Sequence, residues 1–575
     1  MNTSNNHKSI PVSYTIILIA ILYVISLGLL GKDGFWNVDD ANKFIQLKAI
    51  SHSHYRDFSI PWPGASIDPN FDYNPIPSPF SVVKDHRLFS IYSPIFAILS
   101  SFFFALFGFW GLYILPLVFS ILLLFGMVKI LDTLGSETKI KNYAVILGGL
   151  CTPIWFYSVI FWEHIIAISL SVWGISFCLQ FLKSGSKKHL VGGIILSALG
   201  IYFRDELYLF CAVLLGSVIL FSPKERFKNT LLCALGMIIC LIPLWLLQWK
   251  IMGSPFGFHI GKHLLSSSGI SGHILDRPQV FYNLFVASSK NLWLSFVLAA
   301  PFLIAFVLNL KLPPKTFKTA FFLYTLVALI GALFSLGGYF HADSPIAYMF
   351  NANSLFAVSP ILILAFIGYR NPERPEDNQL LRKWIWSVAL AYAIAYGLFA
   401  PRLGSTGIHW GNRFLLVLYP LFAILCAINL AEWRKCFDRR ISWQTVIIIP
   451  VILVSLTAQV YSLNILHKKK AFSYRFNQEI RKRPEETVVT NLWWVPQELC
   501  RDFYDKTIFY VRTPEQYRNL TSQLSSKGYK KFIFVAPQSP NKTEPNSTGV
   551  TDGGLNFFNL QISIVDLTGF QKGTE

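Results

Sequence analysis

The sequence predicts an all-α polytopic membrane protein that carries a small exoplasmic α/β domain at its C-terminal end. Three observations lead there. Of 575 residues, 53% are hydrophobic and only 14% are charged, against about 25% charged in an ordinary soluble protein. Apolar runs near the ~20 residues that cross a bilayer as a helix recur along the chain. After residue 464 the pattern changes to short β-rich runs around one polar helix. This composition excludes a water-soluble enzyme, a disordered chain and a coiled coil. The formal net charge of +19 reads as Lys and Arg left on the cytoplasmic side of an inserted chain. The cations are dispersed between apolar runs rather than gathered in a stripe, so no nucleic-acid partner is expected.

The first span, 11–30, follows a short polar leader with Lys8 and has no small-residue cleavage site. It reads as a retained span with a cytoplasmic N-terminus. Further spans are expected near 111–131, 141–160, 165–182, 189–203, 206–222, 229–249, 291–310, 319–338, 354–369, 383–400, 413–431 and 442–464. Six basic clusters separate them: Lys139 and Lys141; Lys183, Lys187 and Lys188; Lys224, Arg226 and Lys228; Lys311, Lys315 and Lys318; Arg370, Arg374, Arg382 and Lys383; and Arg434, Lys435, Arg439 and Arg440. The intervening loops near 161–164, 339–354 and 401–412 hold almost no Lys or Arg. Positive-inside bias puts all six clusters in the cytoplasm. A full crossing by the apolar run 91–107 would invert that bias, so this run is expected to lie in the exoplasmic interface or re-enter. About 13 transmembrane helices result, with the N-terminus inside and the C-terminus outside.

The expected organisation is a transmembrane domain over 1–464, with a long exoplasmic loop at 31–90, and an exoplasmic or periplasmic α/β domain over 465–575. In the latter, strands are expected at 487–490, 507–511, 531–535 and 560–565, and a helix at 514–526. Of the eight cysteines, Cys151, Cys178, Cys211, Cys233, Cys240 and Cys426 fall in apolar runs and read as small buried hydrophobes. No CxxC or Cys/His spacing suggests zinc.

Ionisable residues at the edge of apolar segments are costly and ask for a reason. Four groups qualify, all exoplasmic in this topology. Asp39 and Asp40 follow the first span; adjacent carboxylates repel, so one can serve as a general base, or both simply start a solvated helix. Glu163 and His164 occupy a very short turn among aromatics, either facing the first acids or lying in an interfacial aromatic belt. Arg204, Asp205 and Glu206 interrupt an apolar stretch. Either they pair internally, or Arg204 binds a lipid phosphate and Glu206 orients it. His409, Trp410 and Arg413 stand at the mouth of a span, where Arg413 either snorkels to headgroups or ligates phosphate and Trp410 offers a flat face to a sugar. His52, His54 and Asp57 are a weak metal-binding pattern. No Walker loop and no GxGxxG after a strand supports nucleotide binding.

Together, residues 12–464 resemble the GT-C superfamily of membrane glycosyltransferases, in particular the bacterial family-39 type related to protein O-mannosyltransferases and lipid A aminoarabinose transferases. The likeness rests on the acidic pair after span one, the acid in the second exoplasmic turn, the rhythm of the spans, and Trp-Gly-x-Arg-Phe-Leu-Leu at 410–416. It implies a cell-envelope enzyme of the bacterial inner membrane, with a polyprenyl-phosphate sugar donor and a lipid, glycan or protein hydroxyl as acceptor. By this resemblance Asp39 matches the first acid of the family's Asp-Glu pair, the base, and Asp40 replaces its Glu. Glu163 matches the acid of the second loop, with His164 as the alternative. Arg204 and Glu206 match an Arg-x-Glu. No cofactor is required by these residues, although a divalent metal is compatible with the acids. Attack opposite the leaving phosphate would invert the anomeric centre. Competing classes are an O-antigen polymerase or ligase, a lipid-linked sugar flippase, and a noncatalytic assembly scaffold. A transporter would favour midplane polar residues and repeated halves, neither of which is evident.

Overall fold

The computed structural model describes residues 10–222, 224–257, 277–286, 325–326, 329–330, 354–366, 376–399, 408–436, 443–538, 548–551 and 558–568. The expected spans at 291–310 and, for the most part, 319–338 lie outside them. The chain divides into two compact units: 1–27, 115–244 and 265–463 form the first, and 28–114, 245–264 and 464–575 the second.

The first unit is helical. It contains most of α1 (Val12–Leu30), α4 (Ile114–Thr133), α5 (Thr138–Leu150), α6 (Ile154–Ser158), α7 (His164–Ser184), α8 (Lys187–Ile201), α9 (Leu207–Phe221) and the first part of α10 (Arg226–Met252). The helices Glu376–Phe399 and Leu418–Cys436 and most of the apolar part of Trp443–Arg481 complete it. α7 and α8 approach closely because small residues face each other. A Cβ on Gly174 would collide with Ser197 Oγ, and one on Gly193 would meet Cys178 Sγ at 2.7 Å. The Tyr23 hydroxyl donates to Gly149 O at 2.8 Å and fastens α1 to α5. Two expected spans are broken where proline falls. The 141–160 run ends its first helix at Leu150 and restarts after Pro153. The 354–369 run is a four-residue turn, Leu355–Val358, followed by the 3-10 stretch Pro360–Phe366. Proline lacks the N–H a continuing helix needs and disfavours helical geometry in the residue before it.

Among the described residues, five stretches are long and apolar enough to cross a membrane: Val12–Leu30, Pro94–Thr133, His164–Ser184, Arg226–Met252 and Ile448–Arg481. The protein is an integral membrane protein. The stretch Pro94–Thr133 is two helices, α3 (Pro94–Phe107) and α4, joined by the 3-10 turn Gly108–Tyr113. At 1.5 Å per residue, the 14 residues of α3 reach ~21 Å, short of a ~30 Å hydrocarbon core.

The second unit combines the loop after α1 with the C-terminal tail. The sequence marks 31–90 only as a long loop, yet it carries regular structure. It folds into α2 (Val38–His52) and an antiparallel sheet of order β1-β3-β2, from β1 (Ser59–Ile60), β2 (Ser81–Lys84) and β3 (Arg87–Ser90). The tail forms a five-stranded sheet of order β5-β4-β6-β8-β7, from β4 (Thr487–Thr490), β5 (Thr507–Tyr510), β6 (Lys531–Pro537), β7 (Thr548–Val550) and β8 (Leu560–Asp566). β4 runs parallel to β5 and β6, and Val488 is in register with Ile508 and Ile533. The helix Pro514–Ser526, capped by Thr513, links β5 to β6. Loop and tail are bonded together: Trp62 Nε1 donates to Ile508 O at 3.1 Å, Tyr510 N to Tyr73 O at 3.0 Å, and Gln497 Nε2 to Pro75 O at 3.1 Å. Among the described cysteines every thiol is free, and all but Cys240 are buried.

Candidate active site

The two acids after α1 open a helix. Asn37 is extended, and its side chain accepts the Asp40 N–H at 3.1 Å, which caps α2. Asp39 and Asp40 then lie in the first turn, where the helix dipole favours negative charge. Neighbouring helix positions differ by about 100° in direction. Asp40 accordingly turns into the core and is fully buried, while Asp39 stays partly exposed. The Tyr92 hydroxyl donates to Asp39 Oδ1 at 2.5 Å. Tyr92 is held in turn: Lys43, one helical turn beyond Asp39, places Nζ 4.6 Å over its ring, and Gln46 Nε2 donates to its carbonyl at 3.2 Å.

A second group in the same unit was not foreseen from sequence. Lys470 Nζ donates to Gly31 O at 2.6 Å and to the Tyr113 hydroxyl at 2.9 Å. Lys469 pairs with Glu498 at 2.6 Å. Neither lysine interrupts an apolar run, so placement cost gave no signal for them. Tyr92 lies 53 residues from Asp39 in sequence, and nothing local connects the two.

In the helical unit the structure brings Glu163, His164, Arg204, Glu206 and Arg413 together. Glu163 immediately precedes α7 and His164 begins it. Arg204 and Glu206 lie in the turn between α8 and α9. Arg204 Nη1 donates to Glu163 Oε1 at 3.2 Å, and Nε donates to both Glu206 oxygens at 3.0 and 3.1 Å. Burial opposes the charge on Arg204, but Glu206 and then Glu163 more than offset it and hold the guanidinium protonated. Its Nη2 has no hydrogen-bond partner among the described residues.

Arg413 rests on aromatic faces, 4.8 Å from the Phe414 ring centre and 5.3 Å from that of Trp162. Arg204 lies 5.9 Å from the same Phe414 ring, so two guanidiniums share it. His164 stands edge-on to Trp162 at 4.3 Å. A narrow cleft, with room of only about 10 Å³, is lined by His164, Arg204, Glu206, Tyr392, Arg413 and Phe414. The turn that presents Arg413 requires glycine: Gly411 has φ +63°, and a Cβ there would meet Tyr419 Oη at 2.5 Å. Asn412 caps the turn by accepting the Phe414 and Leu415 N–H groups at 3.1 and 3.3 Å.

His409 and Trp410 differ from expectation. Both are fully buried. His409 Nδ1 is 2.8 Å from Gly411 O, and Trp410 Nε1 donates to Gln459 Oε1 at 2.9 Å. The indole is therefore a core anchor under the Arg413 turn rather than an open face for a sugar. Asp57 is engaged by Arg87 and by the Ser59 N–H. Among the described residues no three acids, histidines or cysteines converge as a metal-holding group.

No protein-family model and no curated protein matches the sequence. Solved structures do. ArnT from Cupriavidus metallidurans in the apo state aligns over 96% of this chain and 97% of its own, with a TM-score of 0.50 and 11% identity. The same protein bound to undecaprenyl phosphate aligns with a TM-score of 0.47 and 10% identity over 95% and 97% of the two chains. The oligosaccharyltransferase AglB from Archaeoglobus fulgidus, complexed with an inhibitory peptide and a dolichol-phosphate, aligns with a TM-score of 0.46 and 12% identity over 91% of this chain and 69% of its own. At such identity the likeness speaks to fold alone: this chain shares the fold of apo ArnT along nearly its whole length.

Proposed function

We propose that the protein is a membrane glycosyltransferase that moves a sugar from a polyprenyl-phosphate donor to an acceptor hydroxyl on the exoplasmic face, with inversion. The observation that carries this is the contrast within the acidic pair. Asp39 is accessible and oriented by a tyrosine hydroxyl, while Asp40 is enclosed. An oriented, partly exposed carboxylate on a helix start is suited to take a proton. The GT-C fold supports the class of reaction.

In this reading Asp39 accepts the proton of the acceptor hydroxyl as its oxygen attacks the anomeric carbon. The bond from that carbon to the phosphate oxygen breaks, and the electron pair leaves with the lipid phosphate. We assign Arg413 and the Nη2 edge of Arg204 to the donor phosphate. Asp40 acts on Asp39 by repulsion, and Glu163 holds Arg204. His164 and Glu206 line the cleft, while His409 and Trp410 support the Arg413 turn.

We assign 1–464 to the membrane transferase portion, with about 13 spans, and 465–575 to an exoplasmic α/β portion. The positive-inside pattern supports an inner-membrane chain with its N-terminus in the cytoplasm.

The test is transfer from defined lipid-phosphate sugars by the purified full chain. Asp39→Asn keeps nearly the same volume and should fold normally while losing about 10²- to 10⁴-fold in rate. Asp40→Asn should lose less. Near-normal turnover in both variants overturns the mechanism.

A further inference from the structure

The second unit holds a cleft that the transfer chemistry does not use. It is bounded by the 77–80 loop, Trp493, Tyr510 and Arg512, and offers about 450 Å³ of space. Its position follows from the sheet. Tyr510 ends β5 and Arg512 follows it, while Trp493 lies just beyond the end of β4. These two strands are parallel, so the cleft lies outside their carboxyl ends, the general place where open α/β sheets take ligands.

The lining is chemically uneven. Trp493 is 43% exposed although it is a large ring. It stacks on Phe80 with the ring planes 4° from parallel and the centres 5.4 Å apart, which fixes its orientation and leaves its other face for a ligand. Tyr510 adds a second ring, with the Arg512 guanidinium 5.9 Å from its centre. Arg512 is exposed, and no acid among the described residues pairs with it. Its backbone N–H is held by Gln516 Oε1 at 2.8 Å, which fixes the start of the side chain.

A rigid flat ring in an open cleft suits the C–H face of a pyranose, which is apolar on its faces and polar at its rim. A purely apolar partner would leave the Arg512 charge unanswered. A purely ionic one would leave Trp493 and Tyr510 without a use. We propose that this cleft binds a hexopyranose carrying an anionic substituent, a carboxylate or a phosphate, with the ring on Trp493 and Tyr510 and the anion on Arg512. Its use as an acceptor subsite rests on the transferase reading; the binding itself does not.

The experiment is saturation-transfer NMR on the full chain in detergent, without donor, using glucuronic acid, glucose 6-phosphate and glucose as probes. The two acids should bind in the millimolar range. Whichever binds more tightly identifies the anion. Glucose should bind about tenfold more weakly, as should the acids to Arg512→Gln, because a charge-assisted hydrogen bond is lost. Trp493→Ala should weaken all three by about fivefold through loss of ring contact. Glucose binding as tightly as the acids, acid binding unchanged in both variants, or no binding of any probe overturns the proposal. Because no donor is present, this result and the Asp39 result can fail separately.

Discussion

The helical unit contains two buried arginine clusters that look alike and are built differently. Arg382 Nη1 donates to both oxygens of Glu432 at 3.2 and 3.0 Å, and Nη2 donates to Asn429. Asn429 in turn donates to Leu364 O and Ala365 O at 2.7 and 3.1 Å. One cation meets one carboxylate, and the remaining amide secures carbonyls of a 3-10 stretch that cannot pair them as an α-helix would. Around Arg204 the count is different. Two carboxylates clasp one guanidinium, and a second arginine, Arg413, is cushioned on rings nearby. The first cluster is closed, its polar atoms directed at protein. The second keeps an Nη2 edge and a cleft. Burial of an ion pair is thus no guide to its role; what matters is where the remaining donors point.

This contrast can be broken by experiment. The largest effect is expected from removing each pair together. Arg204→Met with Glu206→Leu should cut transfer about 10²- to 10³-fold, as loss of a charge-stabilising donor does. Arg382→Met with Glu432→Leu should leave turnover per folded molecule unchanged, since a buried pair replaced by apolar residues is often neutral or stabilising. Equal loss of transfer in the two double variants would erase the distinction.

Single neutralisations should differ next, and in stability. Glu432→Gln strands a buried guanidinium and should cost about 3–5 kcal/mol in thermal unfolding. Glu163→Gln leaves Arg204 with Glu206 and should cost about 1–3 kcal/mol. A larger loss at Glu163 would mean that the clasp is the structural one. The smallest effect is expected at the shared ring. Phe414→Leu removes a face that both Arg204 and Arg413 use and should cost about 0.5–2 kcal/mol, with donor affinity falling more than folding suffers.

The same two clusters show what the sequence made legible. Glu163, Arg204, Glu206 and Arg413 stood out because each interrupts or borders apolar sequence at a cost. Arg382 did not, since it fell in a run of cations that read as solvated cytoplasmic loop. The helix Glu376–Phe399 instead begins before it and turns it toward Glu432, 50 residues away. The tail strands were visible as β-branched and aromatic runs, and 487–490 and the helix 514–526 have the bounds read from sequence. The three-stranded sheet of the first loop was not, because its strands are two to four residues long and depend on pairing that no local pattern announces. Trp410 was misjudged for a related reason: an aromatic beside a charge looks interfacial, yet Gln459 supplies the partner that lets it go inside.

The buried thiols have a practical consequence for redox chemistry and labelling. A thiol reacts as thiolate, and burial pushes the Cys500 thiol up, away from that form. Six of the described cysteines are buried and free, so oxidants and maleimides find little to react with there. Cys240, partly exposed, is the described native position at which background is expected. Single cysteines introduced at exposed Ser184 and Ser526 can therefore be read for membrane sidedness with only that site, and Cys436 beyond it, removed.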